Sequence, residues 1–275
     1  LKVVEEHYCQ HTVKDSFDFV EKLRVRPVPT HSHMCSFDVV SLFTNVPLEE
    51  TIDICADVLY RVDEVDTPWL PECAFRRLML LVTTGVEFSF NDVMYKQIDG
   101  VAMGSPLGPV LANVFVGYCE CKIDASLWPS LYFRFVDDSF TYFDSIEDSE
   151  VFLGALNNLH PSLRFTCEHE QSSKLSFLDV LVEKTEFGSV TSVYRKPTFT
   201  GQYISYDSYC SSNYKVNLVK NLVDRAKRIC SPCKLSGELE FLRSVFTKNG
   251  YPGDMLAKLL STAPTPKHEL IGPAR

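Results

Sequence analysis

Two adjacent carboxylates lie in the most informative stretch of the sequence. Residues 133–140 read FRFVDDSF, in which Asp137 and Asp138 separate two short runs rich in aromatic and β-branched residues. Such runs predict the two strands of a β-hairpin with the acidic pair at its turn. Like charges a few ångströms apart repel, and one of them tends to protonate unless a cation lies with them. Taken alone, the stretch fits either an ordinary acidic turn or a site for a hard divalent cation.

A third carboxylate occupies a similar setting about a hundred residues earlier. Residues 34–47 read MCSFDVVSLFTNVP, and Asp38 is the only charged residue among them. The first half of this stretch is strand-like, and Asn45-Val46-Pro47 ends it. A carboxylate inside an apolar strand must be neutral, paired or bound to a metal. Asp38 is therefore the predicted partner of the acidic pair.

A stretch rich in glycine and proline lies between these carboxylates. Residues 100–118 read GVAMGSPLGPVLANVFVGY and end in a helix-like apolar run. Glycines there would let the backbone pass close to a base pair or nucleotide, and a helix start exposes amides toward phosphates. A plain entry from loop to helix is the alternative interpretation of the same residues.

The elements that must position these groups follow from periodicity and from turn residues. Apolar residues at helical spacing predict helices over residues 13–24, 48–60, 71–85, about 108–123, 145–160 and, after residue 213, two more. Alternation predicts strands in the first half of 34–47, in a hairpin over 86–97, and over 163–169, 175–183 and 189–199, the last ending in the basic pair Arg195-Lys196. Helices and strands therefore mix, and the predicted fold class is α+β.

Composition narrows the class of protein. The 275 residues are 45% hydrophobic, enough for one sizeable domain with subdomains or for two domains. A net charge of −9 argues at face value against nucleic acid as a partner, but residues 195–275 carry 13 basic and 6 acidic side chains. Ten scattered cysteines predict reduced thiols, and Cys230-x-x-Cys233 lacks a second pair at zinc-finger spacing. Neither a signal peptide nor an apolar run of about 18 residues is evident, so we expect an intracellular protein without a membrane partner.

Taken in order, these stretches resemble the palm motifs of reverse transcriptases, most closely those of Penelope-like retroelements. SFDVVSLFTNVP at Ser36–Pro47, GVAMGSPLGPVLAN at Gly100–Asn113 and FVDD at Phe135–Asp138 are similar to the first three motifs of the family. LSFLDVLVEK at Leu175–Lys184 and SVYRKPTFTG at Ser192–Gly201 resemble the blocks that end the palm and grip the primer. The resemblance covers roughly residues 13–252.

This resemblance implies a right-hand polymerase fold, in which an antiparallel palm sheet is backed by helices. Residues 1–35 would be partial fingers or a connector, residues 36–205 the palm with a fingers-type hairpin at about 86–97, and residues 206–275 a helical thumb with a loose C-terminus. The family's N-terminal fingers segment would precede Leu1, so we expect the chain to be a fragment of a longer protein. The full-length protein could also carry a downstream GIY-YIG endonuclease.

The resemblance also implies roles for residues. Asp38, Asp137 and Asp138 would be catalytic and would hold two Mg²⁺ ions, or Mn²⁺ in their place, with the help of the Val39 carbonyl. The implied nucleotide-binding residues are Phe43, which would lie beneath the sugar, and Gly100, Met103, Gly104, Gly108 and Pro109. The implied primer-binding and nucleic-acid-binding residues are Arg195, Lys196, Lys215, Lys220, Arg225, Lys227 and Arg228. Lys174 and Arg164 are candidates for the general acid, and exposed loop charges are the alternative for both.

The implied activity is RNA-directed DNA polymerisation, by two-metal transfer of a nucleotide onto a primer 3′-hydroxyl. Its partners would be an RNA or DNA template with a primer and deoxynucleoside triphosphates, and its location would be nuclear. The alternative is a truncated, inactive retroelement relic that keeps only nucleic-acid binding. A metal nuclease is disfavoured, because a nuclease has no use for the sugar-contacting aromatic residue and the glycine loop.

Overall fold

The structure, a computed structural model, describes residues 1–26, 28–63, 65–186 and 188–261. Its α-helices are α1 Lys2–Tyr8, α2 Ser16–Val25, α3 Leu42–Asn45, α4 Leu48–Arg61, α5 Glu72–Thr83, α6 Gly108–Glu120, α7 Ile146–Asn157, α8 Ser212–Ile229, α9 Pro232–Lys248 and α10 Gly253–Ser261. Its strands are β1 His33–Val39, β2 Glu87–Phe90, β3 Val93–Lys96, β4 Leu131–Phe135, β5 Asp138–Phe143, β6 Phe165–His169, β7 Lys174–Phe177, β8 Val180–Thr185 and β9 Gly188–Val193. The mixed helix and antiparallel sheet confirm the predicted fold class.

The chain forms two compact units. Among the described residues, the first unit comprises residues 1–13 and 31–170, and the second comprises residues 14–30 and 171–261. The predicted domains divide the chain elsewhere, after residues 35 and 205. The compact units are defined by contacts within the chain, whereas fingers, palm and thumb are defined by function. The two divisions therefore do not test each other, and the domain assignment stays a prediction.

The first unit is built on a four-stranded antiparallel sheet in the order β4-β5-β1-β6. Alternate residues of the central strand β1, Cys35, Phe37 and Val39, belong to a buried core that also takes in residues of α4, α6 and α7. Phe152 of α7 lies 5.6 Å from Phe37 and 5.5 Å from Phe143, measured between ring centroids. Helices thus cover one face of the sheet, as expected for strands that alternate in burial.

Local sequence signals begin these helices as predicted. Pro47 precedes α4, and Glu49 and Glu50 lie in its first turn, where acidic side chains favour a helix N-terminus. Pro109 lies in the first turn of α6. The Ser145 hydroxyl accepts a hydrogen bond of 3.1 Å from the Asp148 amide and caps α7.

The second unit combines a three-stranded antiparallel sheet, β7-β8-β9, with the helices that follow it. Helices α8, α9 and α10 enclose a core that includes Val219, Val223, Leu242, Phe246 and Leu256. None of the helices among the described residues is both long and apolar enough to span a bilayer.

Two strand predictions in this unit are wrong. Residues 175–183 form two strands rather than one, because the chain turns at Leu178, whose φ of 55° lies in the left-handed region. The last strand ends at Val193, so Arg195 and Lys196 follow it and are not its final residues. Most of the predicted loose C-terminus lies outside the described residues.

Candidate active site

The three predicted carboxylates lie at neighbouring positions in the sheet of the first unit. Asp38 on β1 is the direct cross-strand partner of Asp138, the first residue of β5. Direct partners in an antiparallel pair project from the same face of the sheet. Asp137 lies in the two-residue turn between β4 and β5, and its carbonyl accepts a 3.0 Å hydrogen bond from the Val39 amide. The predicted acidic hairpin and its pairing with the Asp38 strand are therefore present.

Two of these carboxylates, Asp138 and Asp38, have raised pKa values. Burial, followed by the charges of Asp38 and Asp137, raises the pKa of Asp138 to about 7. Desolvation and then the Asp137 charge also raise the pKa of Asp38, although its side chain reaches solvent. Both shifts reflect desolvation of carboxylates that lie close to other negative charges.

A divalent cation fits this arrangement in charge and in ligand type. Carboxylate and carbonyl oxygens are the hard ligands that Mg²⁺ prefers. In the part of the chain that the structure describes, however, no group of three or more His, Cys, Asp or Glu side chains converges on a metal position. The backbone brings the donors to neighbouring positions, and the side chains stop short of a ligand shell.

Phe43 and the start of the glycine loop are in contact. The Val101 amide donates a 2.7 Å hydrogen bond to the Phe43 carbonyl. A Cβ atom added to Gly100, whose φ is 70°, would come within 2.6 Å of that carbonyl oxygen. A Cβ atom on Gly108 would lie 3.6 Å from the Phe43 ring. Gly100 and Gly108 therefore pack closely against the α3 segment of the chain itself, and their predicted approach to a base pair or nucleotide stays a prediction.

The remaining residues of the predicted nucleotide site lie on the outer side of this loop. Met103 is 75% exposed, and a Cβ on Gly104 would meet no atom within 4 Å. Pro109 is exposed at the start of α6. The loop thus has a packed base at Gly100 and Gly108 and an open crest at Met103 and Gly104.

The predicted primer-binding residues belong to the second unit and fall into two groups. Lys196, Lys220 and Arg228 are exposed. Arg195 and Arg225 are engaged by acidic side chains: the Arg195 guanidinium pairs with Glu238, and Arg225 pairs with Asp179. The Arg195 guanidinium also stacks 4.0 Å from the centroid of the Phe241 ring.

The amphipathic sequence of α8 predicts all five of its basic residues on the polar side of the helix, and Lys215 and Lys227 depart from that prediction. Their exposed fractions are only 9% and 8%, so the interpretation of all five basic residues of this helix as one solvated face is wrong. Lys215 donates a hydrogen bond to the Tyr206 carbonyl.

The contacts of the two general-acid candidates do not favour one residue over the other as the general acid. Lys174 forms a 3.6 Å ion pair with Glu183 in the second unit. Arg164, in the first unit, is exposed, and its carbonyl accepts a hydrogen bond from the Val40 amide.

Arg134 is a functional candidate that the sequence motifs do not identify. Arg134, two residues before the turn, is 1% exposed and forms an ion pair with Glu120, which is 3% exposed. The available signal was an arginine inside an apolar strand, FRFV, because such a charge requires a buried partner. The sequence did not indicate which residue that partner is.

Comparison with known proteins agrees with this architecture. A family model described as "Animal helix-turn-helix domain" matches residues 202–260. A search of curated proteins found no matching sequence. Telomerase from Candida albicans, solved with a TWJ fragment of telomeric RNA, superposes with a TM-score of 0.58 at 13% identity, over 92% of this chain and 45% of that one.

Viral polymerases superpose similarly. The RNA-dependent RNA polymerase of a human picobirnavirus gives a TM-score of 0.56 at 12% identity, over 90% of this chain and 47% of that one. The corresponding enzyme of bacteriophage phi12 gives 0.52 at 14% identity, over 96% and 44%. The chain thus spans less than half the length of these structures. With the acidic hairpin paired to the Asp38 strand, the similarity shows that the chain has a polymerase-like fold.

Proposed function

We propose that this chain is the palm and thumb of an RNA-directed DNA polymerase from a Penelope-like retroelement. The observation that carries the proposal is the direct pairing of Asp38 with Asp138, with Asp137 in the adjoining turn, inside a polymerase-like fold. Sequence motifs similar to those of the family lie on the elements that form this arrangement. Neither feature alone would distinguish a metal site from an acidic turn.

In this proposal each group has a separate task. Asp38 and Asp137 would hold two magnesium ions, with the Val39 carbonyl on the nucleotide side and Asp138 as a weaker or outer ligand. When bound, magnesium activates the primer 3′-hydroxyl and neutralises the leaving pyrophosphate. Phe43, whose ring lies beside Gly108, would lie beneath the sugar and exclude a 2′-hydroxyl.

The protein's own charges prepare this site for the cations. A cluster of carboxylates attracts divalent ions, and burial together with the neighbouring negative charges raises the pKa of Asp138. The exposed basic residues Lys196, Lys220 and Arg228 would contact the phosphate backbone of primer and template. The substrates would be deoxynucleoside triphosphates, and the setting would be the nucleus.

Primer extension tests this proposal. We would compare RNA and DNA templates with magnesium, using the chain and a longer chain that carries the fingers segment expected from the resemblance. Asp137→Asn should abolish extension, whereas Asp92→Asn, in the exposed turn between β2 and β3, should leave it unchanged. Extension that survives Asp137→Asn would exclude the two-metal mechanism.

A second candidate function is nucleic-acid binding without catalysis. It is favoured by the helix-turn-helix match and by the short turn between α9 and α10, in which Gly250 has a φ of 82°. This candidate predicts no extension even with the fingers segment present, together with duplex binding that weakens as salt rises. In either case, a GIY-YIG endonuclease in the full-length protein remains a proposal.

A further inference from the structure

Arg134 is held in a buried network beneath the acidic turn. Its Nε and Nη2 atoms donate to the two carboxylate oxygens of Glu120 at 2.7 and 3.1 Å. The Tyr132 hydroxyl donates to the same carboxylate at 2.6 Å. Glu120 is the last residue of α6, so this bidentate pair joins strand β4 to the end of that helix.

The third nitrogen of the guanidinium points toward the turn. Nη1 donates to the Val136 carbonyl at 2.9 Å and to the Asn113 side-chain oxygen at 3.0 Å. Asn113 lies in the middle of α6. We call Arg134, Glu120 and Asn113 the clasp. One arginine therefore binds the turn backbone and two positions on one helix.

The turn needs such support because its backbone is strained. Val136 has a φ of 58°, in the left-handed region that β-branched residues rarely adopt. A conformation of this kind costs about 1–3 kcal/mol and persists where surrounding contacts over-determine it. Here the contacts are the Arg134 hydrogen bond on one side and, on the next residue, the bond from the Val39 amide to the Asp137 carbonyl.

Stability alone does not account for the clasp. A buried ion pair is often no more stabilising than apolar residues of the same volume, because both charges lose their hydration. The feature that an apolar replacement could not reproduce is the donor to the Val136 carbonyl. That donor acts on the peptide group immediately before Asp137.

We propose that Arg134 is a positioning residue: anchored on Glu120 and Asn113, its guanidinium fixes the Val136–Asp137 turn and so holds the Asp137 carboxylate beside Asp38. The role given to the carboxylates rests on the proposed function. The clasp also links the turn to α6, whose first residues close the glycine loop. A displacement of that helix would therefore reach the carboxylates through one side chain.

Arg134→Lys separates positioning from charge. Lysine keeps a cation opposite Glu120 but lacks the planar fork that serves Glu120, Asn113 and Val136 together. Adding Val136→Gly should rescue the variant, because glycine adopts the left-handed conformation without the arginine's support. Ile54→Ala, a cavity variant in the core of the same unit, is the control for lost stability.

Two readouts decide the outcome. Mn²⁺ titrations of the 275-residue chain, followed by electron paramagnetic resonance, measure metal binding. Asp137→Asn should abolish this binding, and Arg134→Lys should weaken it by about tenfold. The double variant should recover most of it, and Ile54→Ala should change it little. By amide hydrogen exchange, the Val39 amide should exchange faster in Arg134→Lys and return toward the original rate in the double variant.

The two readouts distinguish failure of the proposed function from failure of the positioning role of Arg134. If the unaltered chain binds no Mn²⁺ that Asp137→Asn removes, the proposed function fails, and Val39 exchange still tests the clasp. Unchanged Val39 exchange in Arg134→Lys would overturn the clasp whatever the metal result. The clasp would also be overturned if Arg134→Lys lost Mn²⁺ binding, Val136→Gly did not restore that binding, and Ile54→Ala lost it to the same extent.

Discussion

Replacing Asp138 by asparagine should stabilise the first unit, and increasingly so as pH rises. Burial and the neighbouring carboxylates raise the pKa of Asp138 to about 7, whereas an unfolded aspartate titrates near 3.9. Between these values the folded state binds more protons than the unfolded state, so the free energy of unfolding falls as pH increases. The loss of stability caused by ionising Asp138 is small below pH 4 and complete above pH 7. Asparagine carries no charge and removes it.

The magnitude follows from the shift. A change of about three pKa units corresponds to at most about 4 kcal/mol, of which roughly 2–3 kcal/mol develops between pH 5 and pH 8. Solvent reaches the half-buried carboxylate and screens part of this energy, so we expect the advantage of Asp138→Asn to grow by about 1–2 kcal/mol over that range.

Urea unfolding followed by tryptophan fluorescence measures this effect in the correct unit. Both tryptophans, Trp69 and Trp128, belong to the first unit, and Trp128 packs against Tyr132 with 5.2 Å between ring centroids. Asp92→Asn, at an exposed turn, is the matched control. An advantage of Asp138→Asn that is the same at pH 5 and pH 8 would refute the argument that crowded carboxylates oppose folding.

Magnesium adds a second arm to this experiment. A ligand that binds only the folded state raises the free energy of unfolding in proportion to the logarithm of its concentration above Kd. At pH 8 magnesium should therefore stabilise the original chain more than Asp138→Asn. Equal stabilisation of both would show that Asp138 contributes nothing to magnesium binding.

Three further predictions test the loop, the core and the basic helix. In the same urea assay, Gly100→Ala should lower the free energy of unfolding by more than about 2 kcal/mol, because its Cβ would lie 2.6 Å from backbone atoms at a φ of 70°. Gly104→Ala, whose Cβ would lie in open space, should lower it by about 1 kcal/mol. Phe152→Ala should lower the free energy of unfolding by about 3–5 kcal/mol, since its fully buried ring leaves a cavity. Exposed Lys220→Ala should reduce the salt slope of duplex binding by about 1, while buried Lys215→Ala should lower thermal stability instead.

Several local features were predictable because their causes lie within a few residues. The acidic hairpin at residues 137 and 138, the Asn91-Asp92 turn and the cap at Ser145 all depend on short-range turn and capping chemistry. Helix α2 likewise begins after Asp15, whose carboxylate accepts from the Phe17 and Asp18 amides at 2.8 Å. The short helix α3 was not predicted, since its four residues give no periodicity.

Other features failed because an unusual backbone conformation carried no residue signal. Leu178 adopts a φ of 55° and divides what the sequence presents as one apolar strand. Leucine is not a turn-forming residue, so no local rule places a turn there. Val136, with a φ of 58°, belongs to the same class, although the acids beside it still marked the turn.

The sequence by itself determined which groups could do chemistry and, through strand alternation and turn residues, that the carboxylates would lie at strand ends. Tertiary structure decided their register, because the pairing of Asp38 with Asp138 depends on which strands become neighbours a hundred residues apart. It also decided which basic residues are free to bind a partner, burying Lys215 and engaging Arg195 with Glu238. Arg134 illustrates the physical reason: a buried charge must find its partners, and only packing of β4 against α6 brings Glu120 and Asn113 to it.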